Sequence, residues 1–289
     1  MVDHKLKGIP HFRYLNLDNR EDRKKHMEEQ FQKYGITDYV RVSADRYGPH
    51  NYEEWKKLLT IADYGKYIRK DNVCYVSILV NQLQSIIDWY NSNQSETCII
   101  AEDDLNMDTA KFWPFTWEYF FSHLPCNWDC VQLQVIGGNW IPMGLTQRSR
   151  NNHGATAYLI NRRYAEKLIS MHYIDGKFTF YNNYGYCKPW PEYHNQSPDF
   201  VPFEIGVTYS FPIFITNSTF GSDCYDGKIN MMAKKSDYLT AKWWKEESPK
   251  YSLLDLFSLN SSKRKELILP ITYTDFDTRK EYGHSHSGE

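Results

Sequence analysis

The chain has 289 residues, a net charge of −2 and an isoelectric point near 6.6. There is no basic excess to neutralise a nucleic-acid backbone, so nucleic acid is disfavoured as a main partner. A length of this order buries about three quarters of the unfolded surface and suits one large domain or two small ones.

Aromatic residues make up 16% of the chain, which suits either a Tyr-rich core or a site that stacks on flat rings and sugar faces. No stretch approaches the roughly 18 consecutive apolar residues of a membrane span. The opening "MVDHKLKGIPHFRYLNLD" has no apolar h-region, so a cytoplasmic protein is expected. Six cysteines form no C-x-x-C pair, and reduced, mostly buried thiols are the expected state.

In chain order, "HFRYLNLD" (11–18) predicts a short strand running into a turn. Asn19 is placed to cap the helix that follows, with Glu21 and Asp22 in its first turn. Met27, Phe31 and Tyr34 fall at helical spacing, and Gly35 is placed to stop the helix. "DYVRVSAD" (38–45) predicts a second strand. Val76, Leu79, Val80, Leu83, Ile86, Ile87 and Tyr90 form one apolar helical face.

"TCIIA" (97–101) then reads as a buried strand, and it runs directly into Glu102, Asp103 and Asp104. Strands are expected near 127–138 and 153–161, with a helix over 162–172. Residues 173–199 lack periodicity, and 204–217 read as strands interrupted by Pro212. The order predicts an α/β protein with a largely parallel sheet. One domain over 1–245 is expected, with a nucleotide-binding half at about 8–138 and an acceptor half at about 139–245. A polar, partly disordered extension would follow over 246–289.

Three adjacent carboxylates repel each other and persist most easily when a cation neutralises them. A hard ion such as Mg²⁺ or Mn²⁺ takes one or two carboxylates plus substrate phosphates. Residues i and i+2 of an extended segment share a face, so Glu102 and Asp104 suit a clamp on a metal and a diphosphate. A solvated acidic turn would give the same three letters. In open α/β sheets ligands bind beyond the carboxyl ends of the strands, where these acids fall.

Several segments, in order, resemble glycosyltransferase family 25, the lipooligosaccharide-biosynthesis and collagen-galactosyltransferase group. They are "YLNLDNREDRKKHMEEQF", "RVSAD", "CIIAEDD", "LPCNWDCVQL", "HGATAYLINRRYAEKLI" and "VTYSFPIFITNSTFGSD", spread over about residues 10–225. The segment before the acids and the end of the last segment depart from the family pattern, and 173–199 looks like an insertion.

The resemblance implies a GT-A type fold, a Rossmann-like nucleotide-binding sheet with helices on both faces. It also implies transfer of a hexose from a UDP-sugar to a hydroxyl acceptor on a glycan, lipid-linked sugar or protein, as in lipopolysaccharide biosynthesis. Mn²⁺ or Mg²⁺ would be held by Glu102 and Asp104, with Asp103 orienting them. The donor would meet Asn16, Leu17, Asp18, Arg20, Arg23, Ala44, Asp45, His153 and Gly154. An inverting transfer needs a general base; the candidates are Asp199, Glu204 and Glu192, with Asp199 favoured. His194 is a further candidate metal ligand, and Trp140, Trp190 and Tyr193 are candidates for stacking on sugar. The competing readings are a carbohydrate- or partner-binding protein that kept the fold without turnover, and a metal-dependent phosphohydrolase or nucleotidyltransferase.

Overall fold

The computed structural model describes residues 4–60, 73–180, 197–221, 223–224 and 227–272. Glu192, His194, Trp190 and Tyr193 lie outside the described residues.

The first strand, β1 (His11–Asn16), leads into α1 (Glu21–Tyr34) and then β2 (Tyr39–Ser43). Helix α2 (Val73–Ser92) precedes β3 (Thr97–Glu102). The later elements are β4 (Cys130–Gln132), β5 (Thr146–Gln147), β6 (Ala157–Asn161), α3 (Arg162–His172), β7 (Thr208–Ser210) and α4 (Gly227–Glu246). Seven strands form one sheet in the order β2-β1-β3-β6-β4-β7-β5. β6 pairs antiparallel with both β3 and β4, and β5 antiparallel with β7, while the other pairings are parallel. The protein is therefore mixed α/β with a mostly parallel central sheet.

Alternation along the central strands places a core on each face of the sheet. Ile99 and Ala101 of β3 join Met27 and Phe31 of α1 on one side. Cys98 and Ile100 join Leu79, Leu83 and Ile86 of α2 on the other. That two-sided burial is why "TCIIA" reads as an unbroken apolar run. Six of the seven residues of the apolar stripe on α2 are buried, and Tyr90 lies at its edge.

Local chemistry sets several helix ends. Gly35 takes the left-handed conformation (φ 67°), and its N–H closes α1 onto Gln32 O. The Asn161 side chain caps α3 by accepting from the Tyr164 N–H at 2.9 Å. At the start of α1 the expectation fails. The residue at the cap position is Arg20, with no side-chain cap bond, and Asn19 instead lines a pocket.

The strand expected over 127–138 is shorter. It ends at Gln132, and Ile136–Gly137 turns away to pair with Asn152–His153. Residues 246–272 remain packed, and the rest of the expected extension lies outside the described residues. Leu256, Phe257, Leu267 and Ile271 lie in the same core as Trp244, and Ile268–Pro270 pairs with Trp140–Pro142. Cys74 and Cys224 form a disulfide with Cα atoms 5.8 Å apart, which corrects the expectation of six free thiols. Cys98, Cys126 and Cys130 are free.

Candidate functional site

Strands β1, β2 and β3 run parallel and finish at the same edge of the sheet. A pocket of about 400 Å³ opens there. Asn16 and Leu17 reach it from the end of β1, Ala44 and Asp45 from the end of β2, and Glu102, Asp103 and Asp104 from the end of β3. Arg23 enters from the first turns of α1. Eight of the residues expected at the site therefore line one cavity, because parallel strands deliver their carboxyl ends to one edge.

The three acids have separate environments. Asp103 is buried and fully engaged: Arg23 Nη1 donates to its Oδ1 at 2.7 Å, and Asn16 Nδ2 to its Oδ2 at 2.8 Å. Asp104 Oδ1 is buried and has no hydrogen-bond partner, and its Oδ2 lies 3.8 Å from Arg23 Nη1. Burial pushes the Asp104 carboxyl up to about 6, against the pull of Arg23. Burial also raises Glu102 well above the usual carboxylate range, and the charges of Asp104, Asp199 and Asp103 add to the rise. Both groups are therefore carboxylates short of positive charge that line the cavity, and one Asp104 oxygen is orphaned. That donor set fits a hard divalent cation sharing its shell with phosphate oxygens. Among the described residues, no group of three His, Cys, Asp or Glu side chains gathers closely enough to hold a metal by itself.

The remaining expected residues stand elsewhere. Asp18 braces the two strand-end loops rather than lining the pocket. It accepts from Arg41 Nη2 at 2.6 Å and Ser43 Oγ at 2.8 Å, and its N–H donates to Asp45 Oδ2 at 2.5 Å. Arg20 is absent from the lining and is bound to Asp22 and Asp223. His153 and Gly154 meet Asp199 instead of the pocket. The Gly154 N–H donates to Asp199 Oδ1 at 2.9 Å, and the His153 ring packs edge-on against Phe200. The influence of Asp199 on Glu102 connects this group to the acids. Glu204 is taken up by Arg150 at 2.5 Å and Arg148 at 3.9 Å.

Several site residues escaped the sequence reading. Ser77, Ile78 and Asn81 of α2 form one wall, and Asn81 Nδ2 donates to Ala44 O at 3.0 Å. Buried Ser77 and Asn81 are spaced i, i+4 on α2, a signal that was available. Asp223 and the Cys74–Cys224 bond close another side. Asp237 on α4 is buried behind Asp104, where Gln134 Nε2 donates to it at 3.3 Å and the Thr216 hydroxyl also donates. Burial pushes Asp237 up to about 7.

Compared with protein-family models and with curated protein sequences, the chain gives no match. No helix among the described residues is long and apolar enough to cross a membrane.

Proposed function

We propose that the pocket binds a nucleoside diphosphate-sugar, UDP-hexose in the first instance, and that the protein transfers the hexose to a hydroxyl acceptor. On this reading it is a glycosyltransferase with a GT-A type, Rossmann-like donor half. The observation that carries it is the convergence of Asn16, Ala44, Asp45, Arg23 and the Glu102–Asp104 turn on one cavity at the carboxyl ends of three adjacent parallel strands. The resemblance of the six ordered segments to glycosyltransferase family 25 supports it further.

The roles follow from the contacts. Asn16 and Arg23 hold Asp103, which fixes the backbone of the acidic turn. Glu102 and Asp104 would hold Mn²⁺ or Mg²⁺. Such an ion stabilises the charge that develops on a diphosphate leaving group. Arg23 stands at the start of α1, where the helix N-terminus and the guanidinium both favour phosphate. Asn81 holds the Ala44 carbonyl and so fixes the wall that faces the base or ribose. Asp199, oriented by the Gly154 N–H, is the proposed general base for the acceptor hydroxyl in an inverting transfer.

The test is a calorimetric titration of UDP, with and without Mn²⁺, into the wild type and Asp104→Ala. Binding that needs the metal and disappears in the variant is expected. No heat of binding under any condition would refute the UDP-sugar reading.

A further inference from the structure

The stretch around Asp223 is tied to the pocket at four points. The Asn217 N–H donates to Asp104 O at 2.6 Å. The Phe220 ring packs against His26 and beneath the guanidinium of Arg23. Arg23 Nη2 donates to Gly221 O at 2.7 Å. Cys224 is bonded to Cys74 at the start of α2. The disulfide therefore joins the α2 wall of the pocket to this stretch, and both cysteines line the cavity.

Between those anchors, the Asp223 carboxylate sits on the cations. Arg20 Nη1 donates to both its oxygens, at 2.6 and 2.5 Å, and Arg23 Nη2 lies 3.5 Å from Oδ2. Arg23 lines the pocket where an anionic ligand would sit, and Arg20, outside the lining, is bound to the same Asp223 carboxylate. The carboxylate pairs with the charge of both guanidiniums and carries the same sign of charge as a phosphate.

We propose that Asp223 is a built-in competitor for the anionic ligand, and that the Cys74–Cys224 disulfide holds it in place, so that reduction of this bond opens the site. The proposal rests on reading the pocket as a diphosphate site. The step is thiol–disulfide exchange with a dithiol. One thiolate attacks a sulfur of the Cys74–Cys224 bond and forms a mixed disulfide. The second thiol of the reductant then displaces the remaining protein sulfur. Two electrons and two protons pass to the protein, leaving Cys74 and Cys224 as thiols and the reductant as a cyclic disulfide. Cys224 is then free of α2, and the stretch keeps its contacts at Asn217, Phe220 and Gly221 together with the ion pairs of Asp223 to Arg20 and Arg23. Being about 40% exposed, Asp223 yields to a more highly charged ligand.

The test uses the full chain, air-oxidised and after treatment with dithiothreitol that is then removed under nitrogen. The state of the bond is read by mass spectrometry of alkylated peptides. Inorganic pyrophosphate and UDP, each with Mn²⁺, are titrated into both forms. Reduction is expected to tighten both about tenfold, because a larger fraction of molecules is competent to bind. Cys74→Ser should bind like the reduced protein. Asp223→Asn should bind as tightly when oxidised and should no longer respond to dithiothreitol, which keeps the test decisive if Cys74→Ser does not fold.

Equal affinity in the two redox states overturns the gate. Weaker binding after reduction also overturns it, and would mean that the bond shapes the pocket wall. UDP that never binds while pyrophosphate binding tightens on reduction refutes the nucleotide reading and leaves the gate standing. Absence of binding by either probe in both states overturns both.

Discussion

Arg23 and Asp103 form an ion pair of 2.7 Å inside the protein, with side chains only 7% and 8% exposed. They are 80 residues apart in sequence and meet because α1 packs over the strand end that carries the acids. Burial works against the guanidinium charge, and Asp103, Asp104 and Asp223 together more than offset it, so Arg23 is held in its charged form. Removing one member leaves the other buried and unpaired. Asp103→Ala should therefore cost about 3–5 kcal/mol in urea unfolding. Arg23→Lys should fail to restore stability, because one ammonium cannot reproduce the fork that serves Asp103 and Gly221 O at once.

Gly154 has φ +101°, and a Cβ there would lie 2.4 Å from Gln134 Oε1 and 3.1 Å from the Ile136 nitrogen. The strain and the collision act together, so Gly154→Ala should lose about 2–3 kcal/mol. The same change shifts the N–H that orients Asp199. On the proposed function, turnover should fall further than the folded fraction does, and comparing the two by activity and circular dichroism checks this.

His172 is completely buried, and its Nδ1 faces Thr179 O at 2.8 Å. Burial lowers its pKa from 6.5 to about 4, despite the opposing effect of that carbonyl. The unfolded chain therefore takes up a proton near pH 6.5 while the folded one does not. The stability contributed is whole above pH 6.5 and is lost as the pH falls to about 4. The loss amounts to roughly 3 kcal/mol. Urea midpoints measured across this window should fall in the wild type and fall less in His172→Gln.

Asp237 has the opposite sign. Its pKa rises from 3.8 to about 7, so the unfolded chain releases the proton first and stability declines as the pH climbs through that interval. Asp237→Asn should be more stable than the wild type at pH 8, by about 1–3 kcal/mol, and equal to it near pH 4. Gln134 Oε1 has no hydrogen-bond partner, so a turn of that amide would offer the new Asn an acceptor. Thermal melts at the two pH values decide it.

Much of this protein was legible locally. The stripe on α2, the Gly35 stop, the unbroken "TCIIA" strand and the acids at its end are short-range patterns, and each recurs in the structure. They were readable because helix and strand periods impose burial within a few residues of chain. The Asn19 cap failed because such a cap depends on one backbone turn, and the chain there passes into the pocket instead. The packing of Leu256, Phe257, Leu267 and Ile271 was hidden because the clusters "LLDLF" and "LILPI" are too short to show a period.

The sequence by itself determined which strand ends carry polar groups, because that depends on neighbours in the chain. Tertiary structure alone decided which of those groups meet. Asp18 became a brace rather than a pocket residue, and Asp223 came to rest on Arg20 across 203 residues. Cys224 joined Cys74 across 150. Contacts at such separations are selected by how the two faces of the sheet fill, and no window along the chain contains both partners.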